Sequence, residues 1–446
     1  MEQLDYQLDG SKELPNVIEY KWSKKTKRLF LLLIFFLILF IVFFIIVLIG
    51  VKRIKDDRDD LKKEKEKLKQ ENDELNDELE KENEKIRQNS LMFIFYNLTY
   101  ADENNPIENT FRKDGKNYIK ELGEINNGLN YSYTNLNIYD LYIPYSATQM
   151  KTKYNKVVVD IHGGAWLGGD KRYGPEADFC KSLTKLGFIT ASLDYTYLDV
   201  EYYSNVNIYR LVDEITTAIK NIKNFLKNEG FDENKLELCL TGGSAGAHLA
   251  LLYSYLIKNS PIPVKFVVNM VGPVTLEPQY FFNVIDINNP LDNIDEESIN
   301  KAKKESKCQK LDLRYNVVYL NIWEGEFKGS NFTELYDNVT QEVNTDSELY
   351  KAKLEKAKYA FPINHVEKET IPTLCIYGGK DVDVGIAHYS LLKKSFTQKG
   401  NENIELIYSK YSQHNIFEQP PEIKDKLFEE IYIKMLDYSN KYFSKD

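Results

Sequence analysis

Between residues 156 and 442 the chain alternates short, β-branched apolar runs with amphipathic stretches of helical period, and few folds accommodate that rhythm. KVVVDIHGG, FITASLDYTYL, LELCLTGGS, VKFVVNMVG, PTLCIYGG and NIELIYSK read as strands. Helices are predicted near 175–187, 208–228, 245–258, 385–398 and 421–442. Strands that are apolar along nearly their whole length are buried on both faces. The pattern therefore predicts an α/β fold with a mostly parallel central sheet and helices on both sides. YSYTNLNIYDLYIP, just ahead, alternates apolar and polar residues and suits an antiparallel edge strand. Residues 277–360 break the rhythm with polar, Asn-rich segments, which predicts a cap or lid inserted over the mouth of the site. The globular domain is thus expected over residues 91–446.

Ahead of it lie three shorter regions. After a tail of residues 1–28, the run LFLLLIFFLILFIVFFIIVLIGV (29–51) carries no charge and no polar side chain. At about 1.5 Å per residue it spans a ~30 Å hydrocarbon core, so a single transmembrane helix is expected. It is longer than a signal-peptide core and lacks a small-residue cleavage site. Lys21, Lys24, Lys25, Lys27 and Arg28 crowd one flank, and Lys52, Arg53, Lys55, Arg58, Lys62 and Lys63 the other, so charge alone leaves the orientation open. A lone N-terminal anchor before a large domain favours a type II arrangement, with the domain extracellular or lumenal. Residues 52–90 repeat Ile54, Leu61, Leu68 and Leu75 every seven positions, and Leu79 and Ile86 continue the seam. A coiled-coil stalk about 50 Å long is expected. Arg58, Lys65 and Asn72 at the alternate core positions would weaken pairing, leaving a homo-oligomer held mainly by the membrane, or a lone charged helix.

A formal net charge of −10 gives no basic footprint, which argues against a nucleic-acid partner. Cys180, Cys239, Cys308 and Cys375 are too widely spaced for a zinc motif or a disulfide framework. No metal or organic cofactor is implied.

The chemistry sits at strand ends. Gly242-Gly243-Ser244-Ala245-Gly246 matches G-x-S-x-G, and it follows an apolar strand and opens an apolar helix, the setting a nucleophile elbow needs. Small neighbours let strand and helix approach, and the Ala245 N–H at the helix start is left to face the reaction centre. A serine needs a base, and the chain offers His162, His248, His365, His388 and His414. The order nucleophile, acid, base favours His414 after the last strand, with His388 as runner-up. The acid is expected just past PTLCIY, where Asp381 is preferred and Asp383 competes. His162-Gly163-Gly164-Ala165-Trp166 follows another strand, and its glycines let backbone N–H groups converge on an oxyanion.

Taken together, IYDLYIP, VVVDIHGGAWLGGDKR, FITASLDYTYL, GGSAGAHLALLYSY and FPINHVEKETIPTLCIYGGKDVDVGIAH resemble α/β-hydrolases of the hormone-sensitive-lipase-like and feruloyl-esterase-like (BD-FAE-like) carboxylesterase branch. The resemblance covers about residues 136–440. It implies Ser244 as nucleophile, Asp381 as acid, His414 as base, and Gly163, Gly164 and Ala245 as the oxyanion hole. Ala165 and Trp166 depart from a third glycine, and the anchor and stalk lie outside the resemblance. The implied activity is hydrolysis of carboxylic esters of small-molecule, glycan or lipid origin. Amide or peptide hydrolysis by the same residues is one alternative, and a non-catalytic, hydrolase-like adhesion or scaffold protein is another.

Overall fold

The computed structural model describes residues 65, 67–72, 91–104, 106–107, 134–173, 175–198, 208–275, 277, 336–337, 342–381 and 383–444. The expected transmembrane helix (29–51), nearly all of the stalk (52–90) and most of the cap (277–360) lie outside them. Among the described residues no helix is long and apolar enough to cross a membrane. Contacts divide the chain into two units, residues 1–93 with 144–146, and residues 94–143 with 147–446. In the first, residues 67–72 are helical, with an exposed Lys67–Glu71 pair, and Tyr145 donates its N–H to the Leu91 carbonyl.

The second unit holds most of an eight-stranded sheet. Its strands are β1 (Met92–Thr99), β2 (Ile138–Pro144), β3 (Lys156–Ile161), β4 (Ile189–Leu193), β5 (Glu237–Gly243), β6 (Val264–Met270), β7 (Thr373–Gly378) and β8 (Ile404–Ser409). Their spatial order is 1-2-4-3-5-6-7-8. β2 runs antiparallel to β4, and every pairing from β4 through β3, β5, β6 and β7 to β8 is parallel. This is the α/β-hydrolase fold. β3, β4, β5 and β7 are buried along almost their whole length, which is why the sequence shows unbroken apolar runs there. β2 corrects one expectation: it is antiparallel and mostly buried, but not an edge strand, because β1 lies outside it.

Five of the helices follow the sequence pattern closely. α1 (Tyr145–Gln149) is a short turn, and α2 (Pro175–Lys185), α3 (Ile208–Asn228) and α4 (Ala245–Leu256) follow β3, β4 and β5. α4 is buried on every side apart from Leu256, as a helix that is apolar all round must be. α5 (Glu348–Ala357) lies in the segment expected as a cap, yet its Tyr350 and Ala357 are part of the hydrophobic core. α6 (Ala387–Gln398) and α7 (Pro421–Tyr442) complete the chain.

This topology places the site. The chain leaves β3 toward β4 on one side and returns to β5 on the other, so the β3 and β5 loops open side by side at a switch point. Ile161 pairs with Gly242, which brings His162 level with the elbow. Likewise Ser409 pairs with Gly378, so the loops after β7 and β8 emerge together.

Candidate active site

Ser244 stands between β5 and α4 with φ 51° and ψ −115°, a conformation that costs a non-glycine residue about 1–3 kcal/mol. Two hydrogen bonds hold it there. The Ser244 N–H donates to the Met270 carbonyl of β6 at 2.8 Å, and the Ser244 carbonyl accepts the His248 N–H of α4 at 3.0 Å. The turn is possible only with bare backbone around it. A Cβ on Gly246 would lie 1.9 Å from the Ile161 carbonyl oxygen, and one on Gly242 would lie 2.5 Å from the same atom. The elbow is therefore pressed directly against the end of β3.

The loop after β8 brings His414 to this serine. Its Nε2 accepts from Ser244 Oγ at 2.9 Å, and its Nδ1–H donates to Asp381 Oδ2 at 2.9 Å. Asp381 follows β7 and is fully buried. Its second oxygen accepts the N–H groups of Asp383 (2.9 Å) and Val384 (2.8 Å), which fixes the carboxylate plane. The loops are tied to each other as well, since the Lys380 N–H donates to the Ser412 carbonyl. Of the two competing aspartates, Asp381 is the one that meets the histidine. Burial pulls the His414 pKa down, but the charge and hydrogen bond of Asp381, with help from Asp383, outweigh it and hold it above the ordinary imidazole value.

The remaining histidines are occupied elsewhere. His388 is buried, and its Nδ1 accepts the Val274 N–H, so it cannot reach Ser244 as a base. His248 Nε2–H donates to the Ala360 carbonyl and His365 Nε2–H to the Tyr359 carbonyl. Burial drives both His248 and His388 down to about 3, so they stay neutral. Asp381, Asp383 and His414 bring one ligand atom each within 4.8 Å of one another. Both Asp381 oxygens and both His414 nitrogens already have hydrogen-bond partners, so the set is built as a relay and not as a cation cage.

The loop after β3 is shaped by unusual backbone. Gly164 has φ +111°, and Ala165 and Trp166 follow at 54° and 63°. Gly163 packs so close to the elbow that a Cβ there would lie 3.5 Å from the Ser244 Cβ. A group that the sequence reading passed over anchors this loop. Asp194, at the end of β4, is buried and accepts from Lys171 Nζ and from the Lys171 N–H, both at 2.6 Å. His162 Nε2 lies 3.7 Å from the same carboxylate, and its ring stacks on Tyr195. Burial lowers the pKa of His162, and its Nδ1–H donates to the Gly163 carbonyl. The sequence signal was present as GGDKR and LDYTYL, but only their meeting in space shows a buried ion pair.

Gly163, Gly164 and Ala245 are the expected oxyanion donors; Gly163 lies beside the elbow, and Ala245, at the first position of α4, has no intrahelical acceptor for its N–H.

Residues 139–396 match the family described as BD-FAE. Among curated proteins nothing matches the chain. Similar solved structures include a truncated carbohydrate esterase from gut microbiota, at 14% identity over 78% of this chain and 96% of that one, with a TM-score of 0.45. Esterase B from Lactobacillus rhamnosis, in an inhibited form, is 15% identical over 78% of this chain and 90% of that one, with a TM-score of 0.44. Esterase 2 of Thermogutta terrifontis, phosphonylated by sarin, is 16% identical over 70% and 94%, with a TM-score of 0.44.

Proposed function

Because the chain belongs to the BD-FAE family, and is an esterase-type hydrolase by that membership, we propose that Ser244, His414 and Asp381 cleave carboxylic esters through an acyl-enzyme. The observation that carries this reading is the continuous hydrogen-bond chain from Asp381 through His414 to a serine held at φ 51°. Ser244 Oγ attacks the ester carbonyl while His414 Nε2 takes its proton, and Asp381 stabilises the imidazolium. The oxyanion rests on the N–H groups of Gly163, Gly164 and Ala245, the last at the positive end of α4. His414 then returns the proton to the departing alkoxide. Water attacks the acyl-enzyme with His414 again as base, and the carboxylic acid leaves.

The His414 side chain is 23% exposed, so that water can reach it. Ser244→Ala should abolish turnover of a short p-nitrophenyl ester and labelling by a fluorophosphonate probe, with circular dichroism unchanged. Full retained turnover would refute the assignment. An ester panel of graded acyl length, with a feruloyl ester included, defines whether the substrate is a small-molecule, glycan or lipid ester.

The apolar run at 29–51 supports a membrane-tethered enzyme, with the heptads of 52–90 as a stalk and the catalytic domain outside the cytoplasm or in a lumen. Protease treatment of sealed vesicles tests the topology: a domain digested from the cytoplasmic side would overturn it.

A further inference from the structure

His414 stands in the loop between β8 and α7, and one side chain outside the triad holds the backbone on both sides of it. Gln419 Oε1 accepts the Gln413 N–H at 3.3 Å, and Gln419 Nε2 donates to the Asn415 carbonyl at 2.5 Å. Gln419 is only 9% exposed, where an amide without partners would be costly. The backbone offers a donor on one side of His414 and an acceptor on the other, and an amide answers both at once. An ionised carboxylate lacks the donor, and an apolar chain lacks both. The amide is itself fixed from behind. Pro420 and Pro421 follow it, which keeps Gln419 extended (φ −78°, ψ 158°) and starts α7 at once. α7 in turn packs Leu427, Phe428 and Ile431 into the hydrophobic core. Ahead of it, the Asn415 side chain accepts the Phe417 N–H at 3.2 Å and opens the short 3-10 turn Ile416–Glu418. The Phe417 ring packs on Phe179 and Phe428, and its Cε2 lies 3.9 Å from where a Cβ on Gly243 would stand, beside the nucleophile.

We propose that Gln419 is a positioning residue of the base: by gripping the N–H before His414 and the carbonyl after it, it holds the imidazole in line between Asp381 Oδ2 and Ser244 Oγ. This rests on the reading of Ser244, His414 and Asp381 as the triad. The ring must meet its two neighbours at 2.9 Å from opposite nitrogens. Both neighbours are already fixed, Asp381 by the N–H groups of Asp383 and Val384, and Ser244 by its bonds to β6 and α4. Alignment therefore depends on the loop that carries His414. The bond from the Lys380 N–H to the Ser412 carbonyl holds the start of that loop, and Gln419 holds the stretch around the ring. A displacement of about 1 Å in such an arrangement costs roughly 10²-fold in rate. Among the described residues, the titratable groups that face His414 are Asp381 and Asp383 from the loop after β7 and His388 from α6. Gln419 adds no charge to them, so its loss acts on His414 through distance alone. A ring that drifts from Asp381 keeps the burial that pulls its pKa down and loses the charge and hydrogen bond that hold it up.

The test is the pH profile of kcat and KM on p-nitrophenyl butyrate for the full chain in detergent, comparing wild type, Gln419→Met, Gln419→Glu and Ser244→Ala. Active sites are counted by exhaustive fluorophosphonate labelling, which keeps misfolded protein out of kcat. Gln419→Met preserves the length of the side chain and loses both bonds. Its kcat per labelled site should fall about 10- to 100-fold while KM stays within about twofold, the pattern of a group acting on the transition state alone. Its ascending limb, which reports His414, should move to lower pH. Gln419→Glu keeps an acceptor for Gln413 but, once ionised, sets an oxygen against the Asn415 carbonyl, so its kcat per site at pH 8 should fall by a similar factor. A Gln419→Met enzyme whose kcat per site stays within about threefold of wild type, whose loss is carried by KM, or whose ascending limb does not move overturns the proposal. Should Gln419→Met fail to fold, Gln419→Glu decides by the same kcat threshold at pH 8. If Ser244→Ala remains active, the catalytic reading itself falls. If Ser244→Ala is inactive and Gln419→Met matches wild type, only the role of Gln419 falls.

Discussion

Asp381→Asn isolates the part of the site that works through orientation. The carboxylate is fully buried, one oxygen accepting two backbone N–H groups at 2.9 and 2.8 Å and the other taking the His414 Nδ1–H at 2.9 Å. In asparagine the carbonyl oxygen must stay with the two backbone donors, since an NH2 group there would face N–H against N–H. The amide nitrogen then points at His414 and donates to Nδ1. That forces the proton to Nε2, where it faces Ser244 Oγ and the ring can no longer accept. A wrong tautomer of this kind costs a triad roughly 10⁴ in kcat, or about 5 kcal/mol of transition-state stabilisation. The assay is kcat on p-nitrophenyl butyrate from pH 5 to 9. The acid limb should also move to lower pH, because burial remains to depress His414 while the charge that raises it is gone. The pair has a signature in stability too. A histidine whose pKa is raised by folding contributes stability that is fully present below its unfolded value and is lost as pH rises through the folded one. The Tm gap between wild type and variant should therefore be wider at pH 5 than at pH 8.5. A kcat within about tenfold of wild type, or an acid limb that does not move, would refute this account.

Three further outcomes are expected. Gly246→Ala sets a methyl group against the backbone carbonyl of Ile161 and should lower stability by about 1–3 kcal/mol in urea unfolding, with activity lost in parallel. Lys171→Ala strands the buried Asp194 carboxylate and should cost about 3–5 kcal/mol, whereas pairing Lys171→Met with Asp194→Asn should recover much of that, as a double-mutant cycle would measure. Glu176, buried in the first turn of α2, carries the opposite linkage sign to a salt-bridged carboxylate. Its folded pKa is raised, so the stability it lends is complete below its unfolded value and falls away as pH rises through about 7. Glu176→Gln should raise Tm at pH 8.5 and change it little at pH 4.5.

Much of the site was legible because its residues are tied to strand ends. Ser244 follows β5, Asp381 follows β7 and His414 follows β8, and it was the place of His414 after the last strand that favoured it over His388, which also follows the acid. The choice of Asp381 over Asp383 had a local reason in turn length, and the structure brings Asp381 to the ring. β1 was not legible as a sheet member, since MFIFYNLT leaves Phe93 and Tyr96 exposed and follows no strict alternation. That omission turned β2 into an apparent edge. The Lys171–Asp194 pair and the buried carboxyls of Asp160 and Glu176 were invisible for a related reason: 23 and 16 positions apart, these residues look like ordinary surface charges until β3, β4 and α2 enclose them.

Sequence by itself determined the parallel α/β architecture and the order of nucleophile, acid and base, because burial on both faces and short strand-to-helix turns restrict which residues can stand where. Tertiary structure decided protonation and direction. It fixed the tautomer of His414. It also drew Asp160 and Glu176 out of water, since desolvation and hydrogen-bond geometry belong to the packed surroundings of a group and not to its neighbours along the chain.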